Sequence, residues 1–95
     1  MRDLLNQDQR LVILRSIQDA GLEANESVLQ TCLDSYGHSI SRDLIRNHCR
    51  WLEEQGLVTN RDVAGCLVSS LTVRGADVAE GRTIIDGVKR PRPRI

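Results

Sequence analysis

Residues 41–59, SRDLIRNHCRWLEEQGLVT, carry the reading on which the fold of this 95-residue chain depends. Ser41 is a good helix N-cap, because its hydroxyl can accept a bond from an otherwise unpaired backbone N–H of the first turn. Ile45, Cys49 and Leu52 then recur at helical spacing with His48 beside them, which makes one mostly apolar stripe. The opposite face carries Asp43, Arg46, Asn47 and Arg50, with Arg42 at its leading edge. Gly56 stops the helix, since glycine enters the left-handed conformation without a Cβ clash. Leu57 and Val58 begin an extended run. Two readings of the polar face stay open: contact with DNA, or the solvated side of an ordinary third helix. Trp51 lies between stripe and polar face, where it either clamps a hairpin or shields the edge of the core. Asp43 and Glu54 on the outer face would repel phosphate, although Asp43 also suits the positive end of the helix dipole.

Upstream of this segment the periodicity predicts two more helices. Asn6 and Gln9 form a capping box, Leu11, Leu14 and Ile17 follow with Ile13 and Ala20 alongside, and Gly21 closes the element. Asn25 caps the second helix, whose apolar face is Val28, Leu29, Cys32, Leu33 and Tyr36, and Gly37 ends it. A short link containing Ile40, expected to be buried, leads to Ser41. Helix, tight glycine-containing turn and serine-capped helix together give a helix-turn-helix outline.

Downstream of Gly56 the period changes. Residues 57–59 and 66–71 are extended runs, and the turn formers between them predict a β-hairpin with a longer loop, Arg61 near its tip. Thr72 caps a short helix over residues 73–80, which Gly81 terminates. Residues 83–88, with adjacent Ile84 and Ile85 before Gly87, are open to three readings: a strand edge, packing back on the core, or contact with a partner. In the last segment Lys89, Arg90, Arg92 and Arg94 alternate with Pro91 and Pro93, which predicts an extended, disordered basic arm.

The chain has the size of one domain with one small core. Thirteen Lys and Arg balance thirteen Asp and Glu, so the formal net charge is zero and strong non-specific binding to nucleic acid is not favoured. Charge is nevertheless uneven: acids lead before Ser41, and arginines gather in the third helix and the tail. No apolar run is long enough for a membrane span and no leader is evident, which predicts a cytoplasmic protein. The odd, widely spaced Cys32, Cys49 and Cys66 read as core fillers rather than disulfides. No reactive constellation is present, so the chain is not expected to be an enzyme. His38 and His48 with Cys32 and Cys49 match no zinc spacing, and neither a metal nor another cofactor is expected. With Tyr36 and Trp51 as its aromatics, the chain lacks a base-stacking platform for single strands.

The run Leu52-Glu53-Glu54-Gln55-Gly56-Leu57-Val58 before the hairpin, and Leu71-Thr72-Val73-Arg74-Gly75 after it, resembles winged-helix regulators of the ArsR and MarR type over about residues 6 to 82. More closely, the chain is similar to small phage-related proteins of Mu-like phages and prophages, which share a Gly-Val-Lys-Arg-Pro-Arg-Pro tail. The ArsR cysteine pair and the long dimerising helices of MarR proteins are absent, so metal sensing is not implied and a monomer or weak dimer is expected. The resemblance implies an α+β winged helix-turn-helix of three helices, a β-hairpin wing and a short C-terminal helix over residues 1–82, with the basic tail at 83–95. By position it puts Ser41, Arg42, Arg46, Asn47 and Arg50 in the major groove of double-stranded DNA and Arg61 on the wing. Lys89, Arg90, Arg92 and Arg94 would add phosphate contacts. The leading expectation is therefore a small phage DNA-binding protein that regulates transcription. The rival is a protein-interaction adaptor on the same scaffold, acting in phage DNA packaging or assembly, which net neutrality and Asp43 favour. The DNA expectation requires Arg46 and Arg50 to face outward and unpaired.

Overall fold

The computed structural model describes residues 2–92. It is an α+β arrangement of four helices and a three-stranded antiparallel sheet, in the order α1 (Arg2–Asp19), β1 (Glu23–Asn25), α2 (Glu26–Ser35), α3 (Arg42–Glu54), β2 (Val58–Val63), β3 (Cys66–Leu71), α4 (Val73–Glu80). This is compatible with the expected winged helix. No helix among the described residues is long and apolar enough to cross a membrane.

α1 starts earlier than the Asn6/Gln9 capping box predicts. Asp3 in the first turn suits the helix dipole there, and Gln9 is buried, bonded to His48 rather than to its own helix end. Leu11, Val12, Ile13 and Leu14 are consecutive and all buried, which an amphipathic surface helix cannot achieve. α1 packs against α2, α4 and the sheet, so several of its sides are covered. Leu29 and Leu33 of α2, Ile45, Cys49 and Leu52 of α3, and Val78 and Ala79 of α4 complete the core around it. Tyr36, expected on the apolar face of α2, stands 63% exposed beyond the helix end.

The sheet order is β1-β3-β2. β1 is too short to leave a local pattern, and it exists because Glu23, Ala24 and Asn25 pair with Ser70, Ser69 and Val68 of the distant β3. The β2–β3 hairpin runs from Val58↔Leu71 to Val63↔Cys66 and closes through Ala64 and Gly65 alone. Both lie in the left-handed region, at φ 52° and 83°, as a type I′ turn requires. The loop is thus shorter than expected, and Arg61 sits within β2 opposite Val68 instead of at the tip. Tertiary bonds override the poor strand propensity of Asn60. Its side chain donates to the Cys49 carbonyl (2.9 Å) and to Glu53, and accepts from the Ser69 hydroxyl (2.6 Å).

The two halves of the Gly-Leu-Val and Leu-Thr-x-x-Gly pattern meet at one junction. The Thr72 N–H donates to the Leu57 carbonyl, its hydroxyl donates to the Gly56 carbonyl and accepts from the Gly75 N–H. A Cβ on Gly75 would lie 2.0 Å from the Leu57 carbonyl oxygen, so α4 can approach the start of β2 only with glycine there.

The tail departs from expectation. Of the readings open for residues 83–88, packing back on the core is the one observed, and the chain runs on beside α1 to Arg92 instead of leaving as a disordered arm. Val88 is buried in the core, the Lys89 N–H donates to the Gln7 carbonyl (3.1 Å), and the Gly87 carbonyl accepts from Arg10 Nη1 (3.0 Å). Trp51 closes over Gly87, where a Cβ would come within 2.6 Å of its ring. The Arg10 guanidinium stacks on the Trp51 ring, 4.0 Å from its centroid.

Candidate nucleic-acid interface

Ser41 forms the expected N-cap, its hydroxyl accepting from the Leu44 N–H at 3.1 Å. The helix behind it buries Ile45, His48, Cys49 and Leu52, so the outer face carries the residues the periodicity assigns to it. What the arginines do there differs from expectation. Glu26, the first residue of α2, is 2% exposed, and its carboxylate collects donors from two other elements, α3 and β3. Arg46 donates to it twice, from Nε at 2.9 Å and from Nη2 at 2.8 Å. Arg42 Nη1 donates at 3.2 Å, and the Leu67 N–H of β3 at 2.8 Å. Arg42 also grips Gln30 from Nε and Nη2, and Arg46 Nη2 reaches the Gly65 carbonyl at the hairpin turn. The bonds from Arg46 hold the Glu26 carboxyl down at about 2 against the opposing effect of burial, and the same pairing raises the Arg46 pKa.

Arg61 is likewise engaged. From the outer face of the sheet it crosses β3 to Glu23 in a two-pronged pair, Nη1 at 2.7 Å and Nη2 at 2.8 Å, and Ser70 donates to the same carboxylate. Arg61 and Ser70 together hold the Glu23 carboxyl at about 2. Asn47 and Arg50 remain exposed, and Arg50 makes no ion pair or side-chain hydrogen bond among the described residues. Around them Asp43, Glu53 and Glu54 are also exposed. Among the described residues, the outward face of α3 therefore offers the unpaired Arg50 guanidinium beside Asp43, Glu54 and a Glu53 that already accepts from Asn60. Of the tail cations, Lys89 Nζ lies 3.4 Å from Asp8, Arg90 and Arg92 are exposed, and Arg94 lies outside the described residues.

His48 is buried and neutral. Arg10 Nε donates to its Nδ1 (3.2 Å), so Nε2 carries the hydrogen toward the Gln9 carbonyl oxygen (2.9 Å). Burial, with the Arg10 charge beside it, pushes its pKa down to about 4. His38 instead meets Asp8 at 2.6 Å, and burial raises the Cys49 thiol. These contacts place the two histidines with separate polar partners in α1.

Sequence reasoning missed Glu26 as the organiser of this face. Its only local signal was an acid directly after an Asn N-cap, which reads as a dipole effect; its partners lie sixteen and twenty residues on.

Comparison with known proteins places the chain among small phage-related proteins. It belongs to the family of protein gp26 of Escherichia phage Mu, to which it is 58% identical over 94 residues, 99% of this chain and 98% of gp26. A protein of Haemophilus influenzae is 55% identical over 74 residues, 77% of this chain and 72% of that protein. Both relatives carry the description uncharacterized. No protein-family model matches the chain.

Proposed function

We propose that this phage-related chain is a winged-helix module that works as a protein-interaction adaptor, with phage DNA packaging or assembly as its setting. The winged-helix reading is supported by the capped α2–turn–α3 pair and by a hairpin seated beside α3 through Arg46 and Asn60. One observation carries the adaptor reading: the buried Glu26 carboxylate holds both leading arginines of α3. DNA binding needs cations free to replace counterions along phosphates. Arg42, Arg46 and Arg61 have internal carboxylates instead, and breaking those pairs for phosphate would leave Glu26 a buried, unpaired charge.

A second reading has its own support. Asn47 and Arg50 project from α3 and are of the residue types that read adenine and guanine. Titration of labelled random duplex DNA with the full chain at low and moderate salt separates the two. The adaptor reading expects weak binding at low salt, a slope of log K on log salt of about −1 or shallower, and no difference between wild type and Arg50→Ala. Tight binding that an Arg50→Ala or Asn47→Ala substitution abolishes would reinstate α3 as a DNA-reading helix.

A further inference from the structure

A groove of about 640 Å³ lies between α1, α4 and the returning tail. Arg15, Arg90 and Arg92 line it, and no α3 or hairpin residue does. Arg15 is anchored from Nε to the Ala79 carbonyl at 3.4 Å, which leaves its terminal nitrogens for another acceptor. Arg90 and Arg92 have no acidic partner among the described residues. The one acid in the lining, Glu80, is already occupied by Gln18 and Arg82. Ala79, Gly81 and Pro91 add uncharged residues to the lining, and the Pro91 ring is seated where a Cβ on Gly81 would come within 3.1 Å of it. The groove is therefore a basic slot on a chain with no net charge, and the tail that forms one wall is fixed at its root by Val88 and Lys89.

We infer that this groove is the docking site for an extended acidic segment of a partner protein. The inference rests on the adaptor reading and gives it a surface. Guanidinium forks match carboxylates in two-pronged geometry, and three of them around one slot select a strand carrying several Asp or Glu side chains. A groove of this volume between two helices and the tail has room for a few residues of an extended chain. The phosphate ridge of a duplex instead calls for cations spread over a broad surface, and three do not supply the attraction that non-specific DNA binding draws on.

The test uses the full chain and a short fluorescein-labelled peptide alternating glutamate with alanine, a glutamine-for-glutamate control, and random duplex DNA as competitor. Wild type is expected to bind the acidic peptide at low salt and the control at least about tenfold more weakly. Arg90→Gln/Arg92→Gln, on exposed positions that leave the core intact, is expected to weaken it by about tenfold, and Arg15→Gln by a similar factor with the melting profile checked alongside. Amide shifts on peptide addition should centre on residues 79–82 and 89–92. Equal affinity of wild type and the double variant, equal affinity for both peptides, or displacement of the peptide by lower concentrations of duplex would overturn the proposal. Failure of peptide binding without duplex binding removes this groove alone, whereas Arg50-dependent duplex binding removes the adaptor reading beneath it.

Discussion

Three arginine donors and one backbone N–H converge on Glu26 because a carboxylate taken out of water must find its stabilisation within the protein. The two arginines are only partly withdrawn, their side chains 42% and 35% exposed, so water can take them back if the acid is lost. Glu26→Gln keeps one acceptor but places an amide N–H₂ among donors. It should destabilise the fold by about 2–3 kcal/mol, below the full cost of breaking a buried pair because the arginines can be resolvated. Urea unfolding followed by circular dichroism measures this, and a loss under about 0.5 kcal/mol would show that the cluster is not structural. The same substitution frees Arg42 and Arg46. If internal pairing is what keeps α3 off phosphate, its duplex binding should gain up to about two counterions in salt dependence over wild type. Arg46→Ala should lower the unfolding midpoint instead of abolishing a sequence-specific contact.

The junction of β2 and α4 is decided by whole elements. Leu57 is buried at the strand's start, Thr72 ties the end of β3 to it, and Gly75 lets α4 lie against its carbonyl. Gly75→Ala inserts a methyl 2.0 Å from that oxygen and 2.7 Å from a Leu71 methyl. Since the first obstacle is backbone, the helix must move, and the expected loss sits toward the top of the usual 1–3 kcal/mol or so for overpacking. Thermal melts should show a drop of roughly 10 °C or more for a domain of this size. An unchanged melting temperature would mean α4 can shift freely. Such elements were legible to the extent that their signals are local. Asn25, Ser41 and Thr72 cap α2, α3 and α4 as their side chains dictate, and each side chain accepts the expected backbone N–H. Hairpin and last helix fall where period and punctuation put them. β1 and the extent of β2 were not legible, because each depends on partners across the sheet or on α3. The candidate site was legible as a list of outward positions, but not in its chemistry. Which arginine meets which acid depends on how α2 and β3 stand against α3, and no residue spacing encodes that.

At the scale of the molecule, the tail, α1 and α3 are joined through Arg10, Trp51, His48 and Gly87. Arg10 bonds the Gly87 carbonyl, covers Trp51 and donates to His48, which in turn holds Gln9. The periodicity placed His48 beside the apolar stripe, but residues 83–88 left several readings open and the Pro and Arg beyond them signalled disorder, whereas Val88 anchors the segment in the core. Val88→Ala should therefore destabilise the whole domain, by about 1–2 kcal/mol for lost apolar burial and the void left behind, and not merely loosen an arm. The His48 network sets the pH response. Its ring has a native pKa of about 4 against an ordinary 6.5, so between those values the unfolded chain binds a proton that the native chain refuses. Unfolding then takes up a proton, and stability falls as pH drops from about 6.5 to 4; it is complete above that window. At about 1.4 kcal/mol per pH unit, the fall amounts to about 3 kcal/mol. Glu26, with its carboxyl at about 2 against an ordinary 4.5, adds a further loss of the same sign as pH drops from 4.5 toward 2. Urea midpoints at pH 7, 5.5 and 4.5 (round values spanning the window) should decline for wild type, whereas His48→Gln, lower at pH 7, should hold nearly level down to about 4.5. Parallel profiles for the two proteins would place the acid sensitivity elsewhere than His48.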